Sequence, residues 1–353
     1  MLPTIVIFLI VLSVVVLIHE LGHYLAARLT GVRVEEFGFG YPPKVIGRKI
    51  GETIYSLNLL PFGGFVRLLG EQSVEESKNP RSFANKSKKQ RSVIILAGVA
   101  MNILLGVAAF SFIYSVTGIP EQVDYITIEA IAPNSPAESA GLERGDKVVA
   151  INGNNMDEVR DFVEYLEDKK GEQVRIQVVR NSEFKQINLT PRENPPEGEG
   201  AVGVVVSNYD NKFYPWWQMP FRASVVGVQE AYGWTRMMVE GLVSTIAGIF
   251  EGVRPEVAGV VGIYQITSTV AQEGILPIIK FVGILSLNLA VINILPFPAL
   301  DGGRFVFILL EKVIGKKMRP KLEAYINMAG MAILIALMVL ITIGDILRIV
   351  RGG

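Results

Sequence analysis

The chain has 353 residues, 50% of them hydrophobic and 19% charged, with equal numbers of basic and acidic side chains and no net charge. That balance is too apolar for an ordinary soluble protein and too polar for a bare bundle of membrane spans, and it excludes nucleic-acid binding driven by bulk positive charge. With no cysteine and only two histidines, disulfides and thiolate metal sites are excluded, so any metal must be held by nitrogen and oxygen.

Residues 4–18, TIVIFLIVLSVVVLI, run without a breaker into His19-Glu20-Leu21-Gly22-His23 and on to Leu29. No Lys or Arg precedes the apolar run and no small-residue cleavage site ends it, so it reads as a first membrane span rather than a signal peptide. On a helix, positions i and i+4 share a face about 6 Å apart. Two imidazoles so placed can hold one metal ion, and the Glu between them can reach a water bound to it. That is the mechanics of H-E-x-x-H. Ionisable groups within a span are costly and point to function.

Residues 24–92 carry twelve Lys and Arg against six Asp and Glu, which predicts a cytoplasmic segment by the positive-inside rule. Within it, residues 52–71 read ETIYSLNLLPFGGFVRLLGE. Two β-prone runs flank the turn signal Pro61-Phe62-Gly63-Gly64, predicting a hairpin. Its lack of polar cover suggests that it dips against the membrane, where such backbone survives only when paired or buried in protein. Residues 93–116 are long and apolar enough for a second span. Asn102 lies inside it, as a helix–helix hydrogen bond or as part of a site.

Between 123 and 192 short strands alternate with turns, and one helix is predicted over Met156–Asp168. The segment from Ser135 to Asp146, SPAESAGLERGD, followed by Ile151-Asn152-Gly153, resembles the signature of bacterial PDZ domains. Such domains add a peptide to a sheet edge and hold its terminal carboxylate in a backbone nest. Gly203-Val204 is the candidate nest, unless the domain fills space and binds nothing. Residues 193–218 form a Pro-, Gly- and Trp-rich linker. Residues 119–218 hold ten basic and eighteen acidic residues, which suits the non-cytoplasmic side. The stretch 219–252 reads as one or two amphipathic interfacial helices, with Trp216, Trp217 and Trp234 suited to the headgroup level.

Residues 275–300 and 327–350 form the third and fourth spans. Their connection is basic, carrying Arg304, Lys312, Lys316, Lys317, Arg319 and Lys321 against Glu311 and Glu323. That places it on the cytoplasmic side, with both termini and the PDZ segment outside. Zinc hydrolases usually supply three protein ligands and leave one position open. With both His used, Asp301 in Asn293-Ile294-Leu295-Pro296-Phe297-Pro298-Ala299-Leu300-Asp301-Gly302-Gly303 is the best third ligand, because it falls at the same depth as the His pair. A helix cap after a proline break is its other reading.

These three motifs, in this order, resemble the site-2 protease family of intramembrane zinc metalloproteases, in the bacterial regulator of sigma-E protease form with a single PDZ domain. The resemblance covers nearly the whole chain. It implies a polytopic α-helical membrane protein with four transmembrane helices, a membrane-associated β-hairpin and an inserted α+β PDZ domain. The expected divisions are 1–118, 119–207, 208–260 and 261–353. It implies one zinc ion on His19, His23 and Asp301, and Glu20 as the catalytic acid/base. Asn293, Pro296 and Pro298 are implicated in substrate handling, and Gly63 and Gly64 belong to a re-entrant β-loop beside the substrate. The sequence around Asn102 lacks a proline common in the family, which leaves a substrate role there weakly founded. The implied activity is regulated intramembrane proteolysis in a bacterial inner membrane. Its substrates would be pre-trimmed single-span proteins such as anti-sigma factors, and spent signal peptides, with a peptide or substrate ectodomain met by the PDZ domain and no nucleic acid. A non-catalytic scaffold and a zinc transporter are the rival classes. No further His exists to line a transport path.

Overall fold

The computed structural model describes residues 3–71, 79–196, 198–252, 259–315 and 320–350. Glu75, Glu76, Lys78, Glu197, Lys316, Lys317 and Arg319, used above for charge bias, lie outside them. Two compact units result, one from residues 1–114 with 220–353 and one from 115–219.

The first unit is helical. Helix α1 spans Thr4–Leu29 and stops where Gly31 takes φ +72°, with the Val32 N–H closing on the Ala27 carbonyl at 2.8 Å. A left-handed glycine there satisfies the last helical carbonyls. Two long strands follow, β1 Val34–Ile50 and β2 Thr53–Leu68. Then come α2 Lys88–Thr117 and, after the second unit, α5 Met219–Phe250, α6 Val260–Glu273, α7 Ile275–Asn293, α8 Asp301–Ile314 and α9 Pro320–Val350. Helices α1, α2, α7 and most of α9 are long and apolar enough to cross a membrane. The third span ends at Asn293, short of the expected 300, because Pro296 and Pro298 cannot continue the helix. The fourth begins earlier than expected, at Leu322, within a helix that starts at Pro320.

The expected hairpin over 52–71 takes a different form. Its two runs do not pair with each other. Residues 34–39 of β1 lie between them, pairing with 54–57 on one side and 64–68 on the other, while 44–50 pairs with 53–58. The result is a four-stranded mixed arrangement in the order 44–50, 53–58, 34–39, 64–68, in which 36–39 and 54–57 run parallel and the two outer pairs antiparallel. Asn58 organises the fold-back, donating from Nδ2 to the Phe39 and Gly40 carbonyls at 3.2 and 3.1 Å. Val45, Ile46, Ile50, Leu57, Leu59 and Leu60 stay exposed on this sheet, a patch of the kind that meets lipid or protein. The side chains of Pro61 and Phe62 lie outside the described residues.

In this unit the expected interfacial segment contains one continuous 32-residue helix, α5. Ala231 packs with Phe110 of α2 and Leu287 of α7. Gly227 admits Ser111, whose Oγ lies 2.3 Å from where a Cβ would stand.

The second unit is a sheet domain. Its elements are β3 Ile119–Ile131, α3 Pro136–Ser139, β4 Lys147–Ile151, β5 Asn154–Asn155, α4 Val159–Asp168, β6 Val174–Arg180, β7 Glu183–Leu189 and β8 Val204–Lys212. The strand order is β7-β6-β4-β3-β8, with β5 on β4. Ile126, Val148, Ile151, Ile176 and Val178 form its core with Phe162 and Leu166 of α4. The signature residues serve local geometry. Ser135 accepts the Glu138 N–H at 3.1 Å with Pro136 in the first turn, as a helix start prefers. Asn152 and Gly153, at φ +51° and +83°, make the tight turn into β5. Strand β8 runs to Lys212, past the expected boundary at 207.

Candidate metal centre and catalytic cavity

His19 and His23 stand one turn apart on α1, with Nε2 atoms 3.2 Å from each other. Asp301, the first residue of α8, places Oδ2 3.2 Å from each of them. Residues 278 apart in sequence thus meet in an equilateral triangle of donor atoms. A tetrahedral zinc shell at about 2.0–2.1 Å has edges of about 3.3 Å, so the triangle has the size such an ion requires. Among the described residues Asp301 Oδ2 is buried and receives no hydrogen bond, which is costly for a carboxylate unless a cation neutralises it. The His23 Nδ1–H donates to the Ile94 carbonyl at 2.8 Å, leaving its Nε2 lone pair aimed at the triangle, as in metal-bound histidines. The donor set of two imidazoles and a carboxylate suits zinc.

Helix α2 backs both rings. A Cβ on Gly98 would fall 2.5 Å from His23 Nε2 and 2.7 Å from His19 Cε1. Asn102 is fully buried, with its amide nitrogen 3.4 Å from His19 Nδ1 and its Oδ1 without a partner among the described residues. With the amide turned so that Oδ1 faces the ring, it accepts the Nδ1–H and leaves His19 Nε2 free to ligate. Ser286 of α7 donates to the Asn102 carbonyl at 2.8 Å. Asn102 therefore sits behind the histidine, away from the cavity where substrate would lie.

The cavity, about 540 Å³, is lined by His19, Glu20, His23 and Asp301, by Gly63 to Val66 of β2, and by Asn293, Ala299 and Arg304. Gly64 lies close to Glu20, whose Cγ is 3.4 Å from where a Cβ would stand. The strand 64–68 is thus the sheet edge that meets the cavity. Pro296 and Pro298 do not line it. They belong to the turn between α7 and α8, and Pro298 packs against Gly330 of α9. Gly302 and Gly303 let this turn fold back on α8, since Cβ atoms there would fall 2.2 Å from the Ile294 and Phe297 carbonyl oxygens. Arg304, one turn beyond Asp301, pairs with Glu71 at 2.5 Å and ties the end of the edge strand to the ligand helix.

A profile of peptidase family M50 matches residues 7–337. The chain belongs to that family. The zinc metalloprotease RasP of Geobacillus kaustophilus is 32% identical, covering 98% of each chain. The regulator of sigma-W protease RasP of Bacillus subtilis is 27% identical over 98% of this chain and 99% of its own. The PDZ domain of the SdrC-like protein from Listeria monocytogenes is 21% identical, covering 25% of this chain and 93% of that one at a TM-score of 0.22. This M50 protein is a zinc metalloprotease of the site-2 type, an α-helical membrane protein with an inserted sheet domain.

The sequence motifs pointed to the candidate ligands and to Glu20 without revealing Gly98, the Ile94 carbonyl or the Glu71–Arg304 pair. A G-x-x-x-N spacing on an apolar helix was the visible trace of the first. In the sheet domain Gly203 has φ +73° and immediately precedes β8, a terminal strand of its sheet. Its N–H already donates to the Gly200 carbonyl at 3.1 Å, so among the two candidate nest residues that donor is engaged.

Proposed function

We propose that this protease cleaves within the transmembrane segment of single-span membrane proteins already shortened outside the membrane, anti-sigma factors and spent signal peptides among them. The observation that carries the reading is the triangle of His19, His23 and Asp301 donors sharing one cavity with Glu20 and a sheet edge. The name of the Bacillus subtilis relative, regulator of sigma-W protease, supports the substrate class. One zinc ion held by those three side chains would supply Lewis acidity and a water acidified to a pKa of about 7. Glu20 takes a proton from the attacking water and returns it to the leaving nitrogen. Asn293 lines the same cavity, where its amide can hold substrate backbone.

A transmembrane helix hides its peptide bonds in internal hydrogen bonds. Unwinding it in lipid costs several kcal/mol for each unpaired group. The 64–68 edge offsets this cost by pairing with the extended substrate, as in other β-addition complexes. Leu57 lies in an inner strand, paired with both Phe39 and Ile46, so it does not form this edge. The excess of basic residues over 24–92 supports an active site near the cytoplasmic face of a bacterial inner membrane, with the PDZ domain outside. That domain meets the substrate ectodomain or its freed end.

The test is cleavage of a tagged single-span substrate by detergent-purified wild type and Glu20→Gln, with zinc quantified in both. Rate should fall by about 10²–10⁴-fold while zinc content is unchanged. Cleavage retained in the variant would remove Glu20 from the mechanism.

A further inference from the structure

The turn that delivers Asp301 contains a strained residue. Ala299 has φ +76°, a left-handed backbone that a side-chain-bearing residue adopts only when its surroundings hold it there. Its N–H donates to Asn327 Oδ1 at 3.2 Å. Asn327 stands on α9, and Gly330, on the same face one turn later, lets Pro298 approach. A Cβ on Gly330 would fall 2.5 Å from Pro298 Cβ and from its carbonyl oxygen.

Helix α9 is otherwise thinly packed among the described residues. Of its most apolar window only 6% is buried. Its second polar anchor is Asp345, which accepts the Gly259 and Gly262 N–H groups at 2.9 and 3.1 Å. Asn327 and Asp345 are separated by about 27 Å of helix, so the two anchors are nearly a hydrocarbon core apart. The one at Asn327 bears on the turn two residues before the ligand.

We infer that Asn327 is a positioning residue for Asp301, holding Ala299 in the left-handed conformation that aims the carboxylate at the two imidazoles. This rests on the reading of Asp301 as a metal ligand. Asn327 itself touches neither the metal nor the substrate.

The test is zinc affinity, measured by chelator competition on the full-length protein in detergent, for wild type, Asp301→Asn, Asn327→Ala and Asn327→Ala with Ala299→Gly. Removing the anchor should weaken zinc binding by about tenfold, at the lower end of what supporting residues around metal ligands contribute. Glycine adopts positive φ at no steric cost, so Ala299→Gly in the Asn327→Ala background should recover most of that loss. Wild-type affinity in Asn327→Ala, with Asp301→Asn impaired, would overturn the inference alone. So would a loss that Ala299→Gly does not recover, which would mean that α9 acts by some other contact. Wild-type affinity in Asp301→Asn would instead overturn the ligand reading and take the inference with it.

Discussion

Gly98 lacks a side chain where two imidazoles occupy the space beside it. A methyl there would stand 2.5 Å from His23 Nε2, closer than packed atoms allow, and the backbone of α2 cannot retreat without losing the Ile94 carbonyl as the His23 partner. Gly98→Ala should therefore displace the ligands by a few tenths of an ångström or more and lower the cleavage rate by about 100-fold. Unlike Glu20→Gln, it should also reduce bound zinc, as atomic absorption on the purified protein would report. Zinc and rate both at wild-type levels would mean that α2 does not set the ring positions. The same reasoning separates Asn102 from Asn293. Both are amides on spans, but one is sealed behind His19 and the other opens on the cavity.

At the scale of elements, the sheet edge carries the proposed substrate contact. Adjacent residues of a strand direct their N–H groups to opposite edges, so of Phe65→Pro and Val66→Pro one removes only an outward donor and spares the inner ladder. That variant should lose roughly five- to tenfold in cleavage, the worth of about one hydrogen bond, with zinc content retained. Unchanged cleavage in both would end the edge-pairing proposal. In the sheet domain the comparable tie is Asp146. Its carboxylate is buried, accepting Arg180 Nε and Nη2 at 2.6 and 2.7 Å and the Glu143 N–H at 2.9 Å. Burial works against the charged form, but these bonds outweigh it and hold the pKa below the ordinary value. A depressed folded-state pKa means that the stabilisation is complete above the unfolded value of about 3.9 and is lost as pH falls below it. Hydrogen-exchange protection factors of residues 119–212 in the full chain, referred to the intrinsic exchange rate at each pH, should fall below about pH 4. Asp146→Asn should be less protected at neutral pH and should flatten that dependence.

For the whole molecule, the connections of the sheet domain matter most. Ile119 to Gln122 pairs with Tyr209 to Lys212, so the chain enters and leaves the domain as one antiparallel ribbon. That register allows a clean excision. Replacing residues 123–208 with Asn-Gly would close the ribbon as a tight hairpin and leave its base intact. If the domain excludes bulky ectodomains, the excised protein should cleave untrimmed substrate that the wild type rejects, as an anti-tag blot of cells expressing both would show. Selectivity identical to wild type would make the domain a passive insert.

The first span with H-E-x-x-H, the PDZ signature and the Asp-Gly-Gly turn were legible in the sequence, because each is a local pattern. Helical period, turn chemistry and apolar length are set by neighbours along the chain. Asp301 could be singled out only because so few alternatives remained. The sheet order was not legible. Both runs of residues 52–71 are β-prone, and nothing within them says that 34–39 lies between them. The role of Gly98, the place of Asn102 behind His19 and the anchor from Asn327 to Ala299 were equally hidden. Close approach between distant backbones depends on how helices pack in space, and a residue that makes room leaves no local trace of what fills it.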